Sequence, residues 1–294
     1  TRRPSPRSPG RRSGHPDHRR PRLIPRASLL DCRLRDLADE RAEVAKREGA
    51  AESASKMVEA EYAQPYLAHA TLEPMNATAW YRGDSAEIWA PTQAPDLGRI
   101  AVARVTDLSP DDVTINTTFL GGGFGRRLTQ DFIEEAAAVS FRMKQPVKVI
   151  WSREEDTQHD LYRPAMLHRM KASMAGGQLT GWHHQIVGPQ ILTWYVRNAA
   201  PAQYPWAPKF MYDTLGKVGL IAEGFATPKD MSAIDGAIEY PYRVGNVDIR
   251  HTHTDPGVPI TWWRSVGYSH NGFAVETFMD ELAHEAGEDP YQFR

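Results

Sequence analysis

The segment Phe119-Leu120-Gly121-Gly122-Gly123-Phe124-Gly125-Arg126-Arg127 is the part of this sequence best suited to hold a ligand. Glycine accepts positive φ and carries no Cβ, so successive backbone N–H groups can converge on an anion or an oxo ligand. A strand is expected to run into the loop and a helix to begin just after it, which would add the positive potential of a helix N-terminus at the same point. The loop is neither a G-x-G-x-x-G dinucleotide fingerprint nor a Walker loop, because no Lys-Ser/Thr pair follows it. On its own it reads equally well as a tight strand-to-helix turn with no ligand.

Other chemistry-bearing groups read more plainly. His251-x-His253-x-Asp255 sets three metal-ligand types on one face of a strand, but no second cluster lies near in sequence, so a solvated strand edge is expected. His183-His184 directs its two rings to opposite faces of a strand. Arg153-Glu154-Glu155-Asp156 reads as a solvated charged turn. His69 fits a buried, hydrogen-bonded histidine as well as a site residue. Trp262-Trp263 fits a channel lining or simple packing, and Glu276 and Glu281 fall on a helix and read as structural.

The elements that must position these groups alternate in type. Glu87–Ala90 is a short strand closed by Pro91, and Leu97, Ile100, Ala101, Arg104 and Val105 follow helical spacing. Val113, Ile115, Thr117 and Phe119 alternate as a strand, and Phe132, Ile133, Ala136, Ala137, Val139, Ser140 and Met143 mark the buried side of a helix. Val147–Trp151 is a β-branched strand. Met166–Met174 and Gln178–Val187 flank Ala175-Gly176-Gly177 as a hairpin, and Val247–Thr254 alternates again. Phe273, Phe278, Met279, Leu282, Ala283 and Ala286 form one side of a last helix stopped by Gly287. These signals predict an α+β fold of mixed α/β layers.

Four stretches are expected. Residues 1–28, rich in Arg, Pro and Ser, cannot build a core and read as disordered. A basic arm or a twin-arginine export signal at Arg19-Arg20 competes with that reading, although no apolar core follows the pair. Residues 29–55 read as a helical linker, with Leu30, Leu34, Leu37 and Val44 on one stripe. Residues 56–160 form a first α/β region carrying the glycine loop, and 161–294 a second. Residues 188–246 read as long irregular connections.

Composition narrows the function. A formal net charge of -2 argues against nucleic acid as a partner. The single cysteine, Cys32, excludes a disulfide framework and any iron–sulfur cluster held by this chain alone, so electrons from redox chemistry would have to leave through another chain or domain. No apolar run is long enough to span a bilayer. The start at Thr1 and the end at Phe293-Arg294 are those expected of a partial or processed chain, and no convincing export signal decides between periplasm and cytoplasm.

Tyr66-Leu67-Ala68-His69-Ala70-Thr71-Leu72-Glu73-Pro74-Met75-Asn76, Trp89-Ala90-Pro91-Thr92-Gln93, Gly121–Arg127, and Pro259–Gly267 followed by Ala274–Ala283 stand in an order that resembles the molybdopterin-binding large subunit of the xanthine oxidase and aldehyde oxidase family. The resemblance runs from about Lys56 to Arg294. The Gly-Arg-Arg ending of the loop and the Trp-Arg-Ser-Val-Gly motif are similar to the isoquinoline 1-oxidoreductase branch, beta subunit. The resemblance implies a molybdenum–molybdopterin cofactor, often in the cytosine dinucleotide form, with no metal ligand from the protein itself. It implies that the Gln93 amide donates to an oxo ligand, that Gly122, Gly123, Phe124 and Gly125 set backbone amides against the metal's ligands, and that the Arg264, Ser265, Val266, Gly267 turn approaches from the opposite side. It further implies a small [2Fe-2S] partner subunit, a cytochrome acceptor in some members, and a heterocycle or aldehyde as substrate.

Two departures stand out. Leu128 occupies a position where purine-oxidising members carry a glutamate, which points to a less polar heterocycle or an aldehyde. The family's catalytic base lies in a Gly-x-Gly-Glu segment that this sequence lacks, so no catalytic residue is nominated. The competing expectations are a non-catalytic remnant that at most binds a partner, and a nucleotide-binding module built on the glycine loop.

Overall fold

The computed structural model describes residues 27–39, 42–49, 56–195, 211, 214, 230–239, 241–255 and 257–294. The basic stretch 1–26 and most of 188–246, expected to be disordered and irregular, lie outside the described residues. Two sheets organise the rest.

Helix α1 (Ala27–Ala38) leads to strand β1 (Glu43–Glu48) and then to β2 (Lys56–Gln64). The expected helical stripe out to Val44 is therefore corrected. Leu34 and Ala38 are buried against Ala165, Leu167 and Val187, and the chain leaves the helix after them. Val44 pairs with Arg250 in a sheet instead.

The first α/β unit follows as β3 (Asn76–Tyr81), β4 (Ala86–Ala90), α2 (Pro95–Thr106), β5 (Val113–Thr117), α3 (Asp131–Met143) and β6 (Val147–Ile150). Its four-stranded sheet has the order β5-β4-β3-β6. The β4–β5 pair is parallel, and α2 forms the crossover between them. Ala77, Ala79, Ala86, Ile88 and Ala90 alternate inward, and their small size lets Phe132, Ile133, Ala136 and Ala137 of α3 approach the sheet closely. Pro95 opens α2 at a position where its missing N–H costs nothing, and Asp107 closes it in the left-handed conformation. Val139 and Met143, expected on the buried side of α3, are exposed, because this one-sided layer needs only the stripe through Phe132, Ala136 and Ser140.

Short helix α4 (Arg153–Gln158) then leads to the hairpin β7 (Met166–Ala175) and β8 (Gln178–Gly188), strand β9 (Asn246–His253), helix α5 (Tyr268–Ala286) and the last turn, α6 (Pro290–Phe293). Arg153–Asp156 is thus a capped helix start and not a solvated turn. Ser152 Oγ accepts from Glu155 N at 3.2 Å, and Asp156 is buried. The five-stranded sheet has the order β1-β9-β8-β7-β2, so it takes strands from both sides of the division expected at residue 160. β2 belongs with β7 because Tyr62, Ala60 and Val58 face the same core as the even-numbered residues of β7. Phe278, Met279, Leu282 and Val275 of α5 cover that face. Phe273, expected to be buried on α5, is exposed and meets Tyr62 edge-on at 5.9 Å.

β9 lies between β1 and β8, so His251 does not sit on a solvated edge, whereas His253 and Asp255 lie past the end of the β1 pairing and are exposed. His251 is buried with Nε2 3.0 Å from the Gly188 carbonyl, and among the described residues no group of three His, Cys, Asp or Glu is placed to hold a metal ion. No helix among the described residues is long and apolar enough to cross a membrane.

The α5 face also holds a cluster that the sequence does not announce. His184 turns inward from the His183-His184 pair, and its Nε2 lies 2.9 Å from His168 Nδ1. The His168 and His270 rings are 6.2 Å apart, and all three side chains are fully buried. Burial holds each imidazole neutral. His168 is pushed well below its ordinary range, His184 to about 3 and His270 to about 4, and the neighbouring imidazoles and, for His168 and His270, the Arg163 guanidinium add to the shift. Their folded-state values lie below the unfolded value near 6.5, so the unfolded chain takes up protons first as pH falls. Stability is therefore complete above about pH 7 and declines below about 6.5, by up to ~1.4 kcal/mol per pH unit for each histidine. Thermal unfolding at pH 7.5 and pH 5 should show a large loss for the wild-type chain and a smaller one for His184→Leu. Equal losses would exclude the cluster as the cause.

Candidate functional site

Four segments meet where the two sheets adjoin: 66–76, 91–93, 119–130 and 259–267. The loop is not entered directly from a strand, since β5 ends at Thr117 and α3 starts only at Asp131. A 3-10 turn, Arg126–Leu128, lies between, so the helix N-terminus expected beside the glycines is displaced from them. The reason is that both arginines of the loop turn inward and bind, which draws the chain into a tight turn first.

Arg127 is fully buried and ties three parts of the wall together. Its Nε donates to the Gly122 carbonyl at 2.6 Å, its Nη2 to the Glu73 carbonyl at 2.7 Å and carboxylate at 3.0 Å, and its Nη1 to the Pro91 carbonyl at 3.3 Å. Burial pulls the guanidinium below its usual range, and the Glu73 carboxylate opposes that shift. Glu73 also accepts from Gly121 N at 2.8 Å and from Asn76 Nδ2 at 2.9 Å. Arg126 forks onto Asp131 at 2.9 and 2.7 Å. Its Nε lies 3.0 Å from Asp160 Oδ1, an ion contact whose N–H is not aligned for a hydrogen bond. Burial alone would lower Arg126; the hydrogen bonds and charge of Asp131, with Asp160 and Asp156, outweigh it and hold the guanidinium above its ordinary range.

Between these anchors the glycine backbone is exposed toward the site. Gly122 and Gly125 have φ 104°, and Phe124 has φ 55°. Gln93 Oε1 accepts from Gly125 N at 3.3 Å, and a Cβ on Gly123 would lie 2.7 Å from the same oxygen. Among the described residues nothing accepts from the N–H groups of Gly122, Gly123 and Phe124, or from Gln93 Nε2. Three backbone donors within the loop and one amide donor beside it are thus left without a partner among the described residues. This is the donor set that an anionic or oxo-bearing group needs, and such a group fits it.

The opposite wall is the turn through Trp262–Gly267. Arg264 N donates to the Phe124 carbonyl at 2.8 Å, and Val266 N to the Trp263 carbonyl at 2.7 Å. Ser265 and Val266 have φ 71° and 47°, a left-handed pair without glycine. For a β-branched residue this costs about 1–3 kcal/mol and persists only where surroundings fix it. Gly267 supplies the close approach to Asp235, with which a Cβ would collide at 2.8 Å. Trp263 stacks on Phe124 with centroids 6.4 Å apart and lies 4.7 Å from His69, so it lines the site, whereas Trp262 meets Tyr195 at 4.6 Å. His69 is a buried, hydrogen-bonded histidine. Leu128 is half-buried in the 3-10 turn. Glu276 and Glu281 are far from this site, bound to Tyr242 and Tyr62.

The structure therefore gathers Gln93, Gly122, Gly123, Phe124, Gly125 and Arg264 at one place, with Ser265, Val266 and Gly267 continuing the second wall. It adds four residues that were not nominated: Glu73, Arg126, Arg127 and Asp160. The two arginines carried a signal, because adjacent cations after a glycine loop must find buried acids. Asp160 lies in no motif and carried none.

A two-sheet chain with a glycine donor cradle and a facing strained turn defines a cofactor-binding domain, and residues 35–193 match the molybdopterin cofactor-binding domain family, to which the chain belongs. It is 31% identical over 257 residues to a membrane-bound aldehyde dehydrogenase [pyrroloquinoline-quinone] of Gluconacetobacter polyoxogenes, covering 82% of this chain and 29% of that protein. It is 26% identical to isoquinoline 1-oxidoreductase subunit beta of Brevundimonas diminuta, covering 76% of this chain and 26% of that one. In fold it is similar to the aldehyde oxidoreductase of Desulfovibrio gigas, with TM-score 0.60 and 20% identity over 84% of this chain and 25% of that one. The chain thus spans less than a third of the length of these relatives.

The contact between the walls can be tested at Gly125, where a Cβ would overlap the Trp262 carbonyl oxygen. Gly83 has nearly the same φ, 103°, with nothing within 4 Å. Gly83→Ala should cost only backbone strain, about 1–3 kcal/mol, whereas Gly125→Ala should cost at least about 1 kcal/mol more, since the turn must move. Urea unfolding of both variants reads the difference, and equal destabilisation would mean that the two walls are not in contact.

Proposed function

We propose that this chain forms part of the wall of a molybdenum–molybdopterin site in an oxidoreductase that hydroxylates N-heterocyclic aromatics or oxidises aldehydes. The observation that carries the reading is the set of unpaired donors on Gly122, Gly123, Phe124 and Gln93, held open by the buried arginines. When bound, such a group supplies oxygen insertion and accepts two electrons from substrate. Gln93 is anchored through Oε1 and directs its Nε2 donor to that group. Gly123 and Phe124 present their N–H groups, while Gly125, already bound to Gln93, provides the close approach of the second wall. The Arg264–Gly267 turn closes the opposite side, and Phe124 and Trp263 exclude water along the rim. The name of the aldehyde dehydrogenase relative carries pyrroloquinoline quinone, but the family match favours molybdopterin.

Leu128, half-buried beside the loop, supports a substrate of low polarity over a purine. The cytosine dinucleotide form of the cofactor belongs to the same reading. So does electron transfer to a small [2Fe-2S] subunit and on to a cytochrome, because one cysteine cannot hold a cluster. Regions 56–160 and 161–294 supply the two cofactor-facing walls in this reading, with β2 of the first region paired to β7 of the second.

Molybdenum content and the fluorescent oxidation product of pterin, measured on the full-length subunit purified with its partner, test the reading. Wild type should contain both, and Gln93→Ala should retain roughly 10-fold less molybdenum under dialysis. A wild-type preparation with neither molybdenum nor pterin ends the proposal, and quinone without molybdenum would replace it.

A further inference from the structure

The side chain of His69 is almost wholly buried, at 1% exposure, and both ring nitrogens face oxygen acceptors. Nδ1 lies 3.1 and 3.2 Å from the two oxygens of Asp160, and Nε2 lies 3.0 Å from the Trp262 carbonyl. A neutral imidazole has one donor and one acceptor nitrogen, so it would set a lone pair against one of these oxygens. The surroundings suit the ring only when each nitrogen carries a proton. The groups that face it are the Asp160 carboxylate, which also takes the His69 backbone N–H, the Arg126 guanidinium behind that carboxylate with Asp131 beyond, and the Trp263 ring at 4.7 Å. Asp156 and Tyr162 are the other titratable groups of the same segment.

The Trp262 carbonyl is confined from two directions. His69 Nε2 holds it on one side, and on the other it occupies the place a Cβ would take on Gly125. Two residues later Arg264 N closes on the Phe124 carbonyl. The register between the glycine loop and the Trp262–Gly267 turn therefore depends on where His69 holds one oxygen atom.

We propose that His69 is a positioning residue that sets the separation of the two walls of the site, as a doubly protonated ring bridging Asp160 and the Trp262 carbonyl. That the space between the walls receives a molybdopterin rests on the preceding section; the bridge itself needs no cofactor. A singly protonated ring would keep its bond to the carboxylate and turn a lone pair toward Trp262, which frees the second wall. A charge-assisted hydrogen bond of this kind changes a local opening equilibrium by about 10- to 100-fold.

Long-range proton–nitrogen NMR of the purified protein reads the ring directly. At neutral pH one histidine, missing from the spectrum of His69→Gln, should show both nitrogens protonated, and Asp160→Asn should abolish that signature. Hydrogen exchange supplies the second readout: in His69→Phe, amides of residues 262–267 should exchange roughly 10-fold faster or more, while those of β7 and β8 keep the wild-type rate. A singly protonated His69 in the wild type overturns the proposal, and so does unchanged exchange at 262–267 in a folded His69→Phe. If that variant fails to fold, the wild-type spectrum alone decides. Both readouts are taken without cofactor, so a wild type that shows them yet never retains molybdenum removes the cofactor reading and leaves the bridge standing.

Discussion

The carboxylate of Asp160 has almost no contact with solvent, and a charge in that position is tolerable only if donors surround it. It accepts from the backbone N–H of His69, the His69 ring and the N–H of Leu161, and it makes an ion contact with the Arg126 guanidinium. Those partners come from the segment after β2, from the glycine loop and from the entry to β7. The groups that satisfy one buried charge are therefore the groups that bring the two sheets together. Arg126 extends the chain of pairs to Asp131, the first residue of α3, so the layer packed on the four-stranded sheet is bound into the same network. Withdrawing one partner from such a set leaves an uncompensated charge, which costs about 3–5 kcal/mol, more than any single apolar contact at this junction supplies.

Glu73 and Arg127 repeat the arrangement on the other flank of the loop. With Gly121 held by Glu73, the Gly122 carbonyl held by Arg127 and Arg126 fixed at the end of the loop, the backbone between cannot relax toward a helix, and it holds φ values that only glycine accepts easily. Phe124, Ser265 and Val266 share that strain without being glycine, and all three lie where the loop and the turn touch. Strain of this kind survives where neighbouring contacts over-determine the backbone. Here the contacts are polar and buried.

Much of the scaffold was legible in the sequence because periodicity is a local property. Alternation in Val247–Thr254 and the Gly176-Gly177 turn identified β9 and the β7–β8 hairpin, and Gly287 marked the end of α5. Errors arose where burial depends on a distant partner. Val44 fits a helical stripe until β9 lies beside it, and β2 lies among the first region's residues in sequence but pairs with β7. At the site, the glycines and Gln93 could be nominated because motif order carried them. Asp160 could not, since nothing near it in sequence shows that His69 and Arg126 will arrive from 91 and 34 residues away. The His168–His184–His270 cluster escaped for the same reason. Its members come from β7, β8 and α5, and only the sheet order makes them neighbours.

Two histidine systems with opposite requirements now bear on one turn. The cluster under α5 must stay neutral, for its rings have no acid beside them, and burial together with neighbouring rings and Arg163 opposes their charging. His69 meets acceptors on both sides. The first system holds the start of α5, where His270 sits two residues inside the helix, and the second holds the Trp262 carbonyl a few residues earlier. Falling pH, by driving protons onto the cluster, loosens the turn from its C-terminal side. The second wall is thus held at one end by a cluster that must stay neutral and at the other by the His69 contact with the Trp262 carbonyl. Nothing in the two sheets themselves demands that contrast; it arises from the chemical character of what surrounds each ring, an all-basic cluster in one case and a carboxylate–guanidinium pair in the other.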